Sequence, residues 1–62
     1  MRIDNFVLRE IPQAKYPAPW RVVDLREPIR GLFRNDTVEY LMIRWRVYDI
    51  SNGGRVLVLR PE

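Results

Sequence analysis

The chain contains no cysteine and no histidine. Without cysteine there is no disulfide, no thiolate nucleophile and no cysteine-ligated zinc. Without histidine the commonest general base and the commonest metal ligand are both missing. Hydroxyl nucleophiles other than tyrosine are reduced to Thr37 and Ser51, with no adjacent base or lysine constellation to activate either. The eight carboxylates, Asp4, Glu10, Asp24, Glu27, Asp36, Glu39, Asp49 and Glu62, are scattered rather than set in a calcium-loop spacing. Gly53-Gly54-Arg55 lacks the spacing and the lysine of a phosphate-binding loop. These absences argue against an enzyme and imply neither cofactor nor metal. No small-molecule substrate is expected, because 62 residues hardly enclose a water-excluding pocket.

Long hydrophobic runs are also missing. None approaches the roughly 18 residues needed to span a membrane, and Met1-Arg2-Ile3-Asp4-Asn5 leads into no apolar stretch of signal-peptide length. The expectation is a soluble, intracellular (cytoplasmic) protein with no membrane partner, including the interior of a host cell if the chain is viral. Its length predicts a single small domain over residues 1–62. A chain of this size removes only roughly 60% of its unfolded surface from water. Ordering costs about 1.5 kcal/mol per residue, which nearly cancels the gain from apolar burial. Small chains usually compensate with disulfides, a metal or association. With the first two lacking, partner contacts or self-association are the expected remaining source of stability.

What the chain does have is arginine. Eleven basic residues against eight acidic ones give a net charge of +3, and Lys15 is the only lysine. Arginine suits carboxylate and phosphate recognition, because its planar fork is bidentate, stacks on aromatic rings and is weakly hydrated. A GC-rich genome produces the same arginine-to-lysine ratio. Acidic neighbours, as in Arg9-Glu10 and Asp24-Leu25-Arg26-Glu27, dilute any field of one sign.

Apolar alternation predicts strands. Phe6 to Ile11 is β-compatible and is ended by Pro12. Lys15-Tyr16-Pro17-Ala18-Pro19 is neither helix nor central strand, and reads as an extended arm or ordered connector. Trp20 to Leu25 gives a strand with Trp20, Val22 and Asp24 on one face and Arg21, Val23 and Leu25 on the other. Ile29 to Arg34 fits a short strand or one helical turn, and Asn35-Asp36-Thr37 is loop chemistry.

Thr37 to Arg60 reads as one β-hairpin: a run from Val38 to Ile50, a turn at Ser51-Asn52-Gly53-Gly54, and a second run from Arg55 to Arg60. On the strand reading Leu41, Ile43, Trp45 and Val47 share one face, and Tyr40, Met42, Arg44, Arg46 and Tyr48 share the other. The turn register then sets Tyr48 opposite Leu57 and Arg46 opposite Leu59. A helix at about 37–50 is the alternative, with Val38, Leu41, Met42, Trp45 and Tyr48 as its stripe and Asp36 with Glu39 as a capping box. The strand is preferred, since Val, Ile, Trp and Tyr are poor helix formers.

The expected fold is mainly β: a small antiparallel sheet or partly open barrel of four to five short strands with a C-terminal hairpin. The alternative is α+β with the 37–50 helix. The expected function is a non-catalytic protein-interaction module, or an accessory or inhibitory subunit. It would dock on a partner protein through the Arg/Tyr hairpin face or the hairpin edge, with Tyr40, Arg44, Arg46, Tyr48 and Trp20 in contact. In size and in lack of motif the chain is comparable to small accessory proteins of phages and mobile elements. The alternative function is a nucleic-acid-binding β domain on the same face, using Arg44, Arg46, Arg55, Arg60, Tyr40 and Tyr48.

Overall fold

The computed structural model describes residues 1–62 and contains five strands, β1 (Val7–Glu10), β2 (Arg21–Leu25), β3 (Thr37–Tyr40), β4 (Ile43–Ser51) and β5 (Val56–Pro61). They form one antiparallel sheet in the order β1-β2-β5-β4-β3, curled into a half-barrel. The expected mainly-β class is what the chain adopts. The helix alternative at 37–50 is not, because that stretch divides into β3, a turn and β4. No helix is long and apolar enough to cross a membrane.

Period-two alternation builds the core. Val23 and Leu25 of β2, Leu57 and Leu59 of β5, Trp45 and Val47 of β4, and Val38 and Tyr40 of β3 all face the concave side, joined by Ile3. Phe6, Val7, Ile29, Leu32 and Ile50 pack around this cluster. Ile29 and Leu32 come from the connection between β2 and β3, which forms turns rather than the strand or helical turn that the sequence allows there. Even with full burial of these side chains, at about 25 cal/mol per Å², the core is small.

The segment before β1 closes the curl. Ile3 N–H donates to Glu39 O at 2.9 Å and Glu39 N–H donates to Met1 O at 2.7 Å, so residues 1–3 lie along the outer edge of β3. Arg2 and Glu39 form a parallel bridge. Four residues later the same segment enters β1 at the opposite edge of the sheet. The free edge of β3 is therefore covered, and β5 is central, flanked by β2 and β4. The hairpin edge expected for strand addition is occupied by the chain's own backbone.

Two turns shape the C-terminal half. Asn52, Gly53 and Gly54, all with positive φ, connect β4 to β5, where the sequence places a turn. The second turn carries no turn residues at all. Tyr40 pairs directly with Ile43, so Leu41 and Met42 alone make the bend, with φ of 56° and 62°. Positive φ at both central residues is the type I′ pattern, ordinarily filled by Asn, Asp or Gly. The bend resets the alternation, so Tyr40 falls on the concave face with Trp45 rather than outward with Arg44 and Arg46.

A bulge in β4 changes the register with β5 as well. Val47 pairs with Leu59 and Asp49 with Val58, leaving Tyr48 as the extra residue. Arg46 is therefore opposite Arg60 and Ile50 opposite Leu57. The register expected from Asn52-Gly53, with Tyr48 on Leu57 and Arg46 on Leu59, is displaced by the bulge and by the longer loop between Ser51 and Val56.

Candidate functional site

The convex face of the sheet carries two features. The first is an aromatic cluster. Tyr16 stacks on Trp20 with centroids 5.2 Å apart and planes 7° from parallel, and Tyr48 meets Trp20 edge-on at 5.0 Å and Tyr16 at 5.9 Å. The proline-rich arm thus folds back on itself, and Trp20 N–H donates to Pro17 O at 3.0 Å. Lys15 Nζ lies 5.4 Å from the Tyr16 ring centre. Val22 and Val58 pair across β2 and β5 on this convex side and are nonetheless buried. The register sets Trp20 and Tyr48 next to them, so the cluster acts as a small second core over the outside of the sheet. Tyr48 keeps half of its surface in water.

The second feature is the β3–β4 hairpin. Its tip exposes Leu41, Met42 and Ile43, and Met42 is 87% exposed. Leu41 N–H donates to Asp4 Oδ2 at 3.0 Å, which ties the bend to the segment before β1. The other Asp4 oxygen is buried without a partner. Behind the tip, on the convex face, Arg44 and Arg46 both reach Glu62. Arg60, opposite Arg46, makes no ion pair.

The sequence-predicted residues are thus divided. Arg44, Arg46 and Arg60 lie together, with Trp20 on the β2 side of the same face and Tyr48 beside Trp20. Tyr40 does not join them. It is 6% exposed, and its hydroxyl donates to Glu10 Oε2 at 2.8 Å. Burial, with the Glu10 carboxylate beside it, pushes the Tyr40 pKa up to about 12. It is a core residue, unavailable for stacking or docking. Arg55 is also apart, at the other end of the β4–β5 hairpin, where it donates to Leu25 O at 3.0 Å and pairs with Asp24 at 3.5 Å.

Three residues that sequence reasoning passed over belong to the surface: Leu41, Ile43 and Tyr16. Leu41 and Ile43 look like core positions in an unbroken strand, and only the turn exposes them. No three of the chain's carboxylates converge as a metal site would require. No known protein family, curated protein or solved structure matches the chain.

Proposed function

We propose that the chain is a non-catalytic protein-interaction module, docking through the Leu41–Met42–Ile43 tip and the Arg44–Arg46 side of the convex face. The observation that carries this reading is the tip. Two bulky side chains occupy left-handed backbone that costs each of order 1–3 kcal/mol. A domain this small has only a few kcal/mol of net stability to lose. Leu41 and Met42 recover little of that cost by burial, because both are exposed. An apolar knob held out at the expense of folding is suited to a recess on another molecule.

The surroundings of the tip favour a protein over a lipid surface. Around the tip Arg2, Arg44 and Arg46 have Asp4, Glu39 and Glu62 beside them, and Arg60 alone lacks an acid. That excess is too small for the basic cluster that draws a surface to anionic headgroups. With the β3 edge covered, docking at this hairpin uses side chains rather than strand addition to β3.

The test is affinity capture with wild type and Met42→Asp, each with and without nuclease. The reading expects a protein retained by wild type in both arms and lost with Met42→Asp. Capture that vanishes on nuclease treatment, or that ignores Met42→Asp, would overturn it. A second reading, single-stranded nucleic acid on the convex face, is favoured by Arg46 and Arg60 lying opposite each other near Trp20 and Tyr48. It predicts affinity that falls linearly with salt on a log-log plot, with a slope of about 0.7 per phosphate contact.

A further inference from the structure

Three donors converge on a single carboxylate at the edge of the docking face. Thr37 Oγ1 donates to Glu62 Oε2 at 2.9 Å, Arg46 Nη2 reaches the same oxygen at 3.0 Å, and Arg44 Nε lies 3.4 Å from Oε1. Thr37 and Arg46 are opposite each other in the β3–β4 register, so the sheet itself fixes their spacing. Arg46 is also anchored from behind, its Nη1 donating to Asn35 O at 2.8 Å. Asn35 is held in turn, with φ of 75° and its N–H on Val47 O at 2.7 Å. A guanidinium ordered in advance gives up little freedom when it receives a ligand.

The charges around this carboxylate do not balance. Arg44 and Arg46 share Glu62, while Arg60 faces Arg46 across the strands with no acid of its own. Like charges directly opposite in a sheet are destabilising. Glu39 faces Arg44 across the β3–β4 pair without forming an ion pair with it. Three guanidiniums therefore meet one bonded carboxylate and one unbonded neighbour, and the remaining positive charge leaves room for a further negative group. The Glu62 pairs are at least partly exposed, and such pairs hold weakly enough to exchange.

We propose that Thr37, Arg44 and Arg46, with Arg60 beside them, are a receiving site for an Asp or Glu side chain of a partner protein, and that Glu62 occupies it until that side chain displaces it. The proposal rests on the docking reading above and specifies the partner's chemistry: an apolar recess for Met42 with a carboxylate next to it. Arg44 lies on β4 two residues after Met42 of the bend, so the apolar and anionic contacts are contiguous. The donor set suits a carboxylate, whose two oxygens match one guanidinium Nη and hydroxyl on one side and one Nε on the other.

The test is titration of the ¹⁵N-labelled full chain with an acetylated, amidated hexaglutamate peptide, following the Thr37 amide and the arginine Nε signals. Saturable shifts are expected at Thr37, Arg44, Arg46 and Arg60, and none with hexaglutamine. Glu62→Gln removes the internal competitor and tightens binding about threefold. Arg46→Gln abolishes it, and Arg44→Gln, at a side chain that donates no hydrogen bond to the backbone, weakens it. Shifts spread over Arg2, Arg26 and Arg30, or an affinity indifferent to Glu62→Gln, would overturn the proposal. So would tighter binding of hexadeoxythymidylate at the same residues, which reassigns the site to phosphate. The peptide has no apolar part. A failed titration with capture still lost in Met42→Asp therefore rejects the carboxylate site and leaves the docking reading standing.

Discussion

The Tyr40 hydroxyl donates to Glu10 at 2.8 Å, and these two residues belong to β3 and β1, the outermost strands of the sheet. One hydrogen bond thus joins the two edges of the half-barrel across its mouth. Arg21 Nη1 lies 3.0 Å from both oxygens of the same carboxylate, so Glu10 ties β1 to β2 and to β3 together. The covered β3 edge and this bond both restrain the curl, leaving the β3–β4 tip as the part of the hairpin that projects.

Burial of the Tyr40 hydroxyl, reinforced by this bond, makes the fold lose stability at high pH. Tyr40 has a pKa of about 12 in the folded chain against 10.0 for an ordinary tyrosine, raised first by burial and then by its hydrogen bond to Glu10. The folded state therefore keeps a proton that the unfolded chain releases above pH 10. Stability from this source is complete below that pH and is lost as pH rises toward 12, by roughly 2–3 kcal/mol in all. Denaturant unfolding at pH 8 and pH 11.5 should show the loss. Tyr40→Phe should show a smaller one, and an equal loss in Tyr40→Phe would assign it to other groups.

The two tryptophans should behave differently. Trp45 is 2% exposed and its Nε1–H donates to Tyr40 O at 2.9 Å inside the core. Trp45→Ala should cost about 3–5 kcal/mol, comparable to the whole stability of the domain, and leave the chain unfolded. Trp20→Ala removes the Tyr16 stack and the Tyr48 contact, worth about 0.5–1.5 kcal/mol each, and should leave the amide dispersion of a folded sheet. If the Trp20 variant lost its dispersion and the Trp45 variant kept it, the assignment of inner and outer faces would be wrong.

Two glycines give an ordered pair of outcomes. Gly54 has φ of +93°, and a Cβ there would sit 3.0 Å from Pro28 Cβ, whereas Gly31, at φ of +74°, has open space around it. Gly31→Ala should cost only the left-handed strain, about 1 kcal/mol. Gly54→Ala adds the clash with the Pro28 ring and should cost about 2 kcal/mol or more. Chemical denaturation of both variants checks the order, and the reverse order would contradict the packing of the β4–β5 turn on Pro28.

Much of this fold is legible in the sequence. The alternation through Val23, Leu25, Leu57 and Leu59 marks the concave face, and Asn52-Gly53-Gly54 marks its turn. What is hidden hangs on local events with no compositional sign. Leu41-Met42 bends where residue preference predicts continuing strand, because pairing on both sides of it outweighs the cost of positive φ. The Tyr48 bulge shifts every later pair in β4 by one residue. Together these events turned Tyr40 inward and set Arg46 against Arg60. The arginine face was therefore readable as a set of residues but not as an arrangement. The closing of the β3 edge by residues 1–3 depends on tertiary curvature, which a reading of local pattern does not reach.

The most direct measurement is the stability of Met42→Gly together with its affinity for the captured partner. Glycine relieves the strain at φ of 62° and gives up almost no burial, since Met42 is already in water. Its own unfolded-state entropy offsets part of the gain, so the variant should be more stable than wild type by about 0.5–1 kcal/mol. It should also lose the partner. A variant that unfolds more easily, or that binds as wild type does, would contradict the claim that this tip is kept at a cost to folding for the sake of docking.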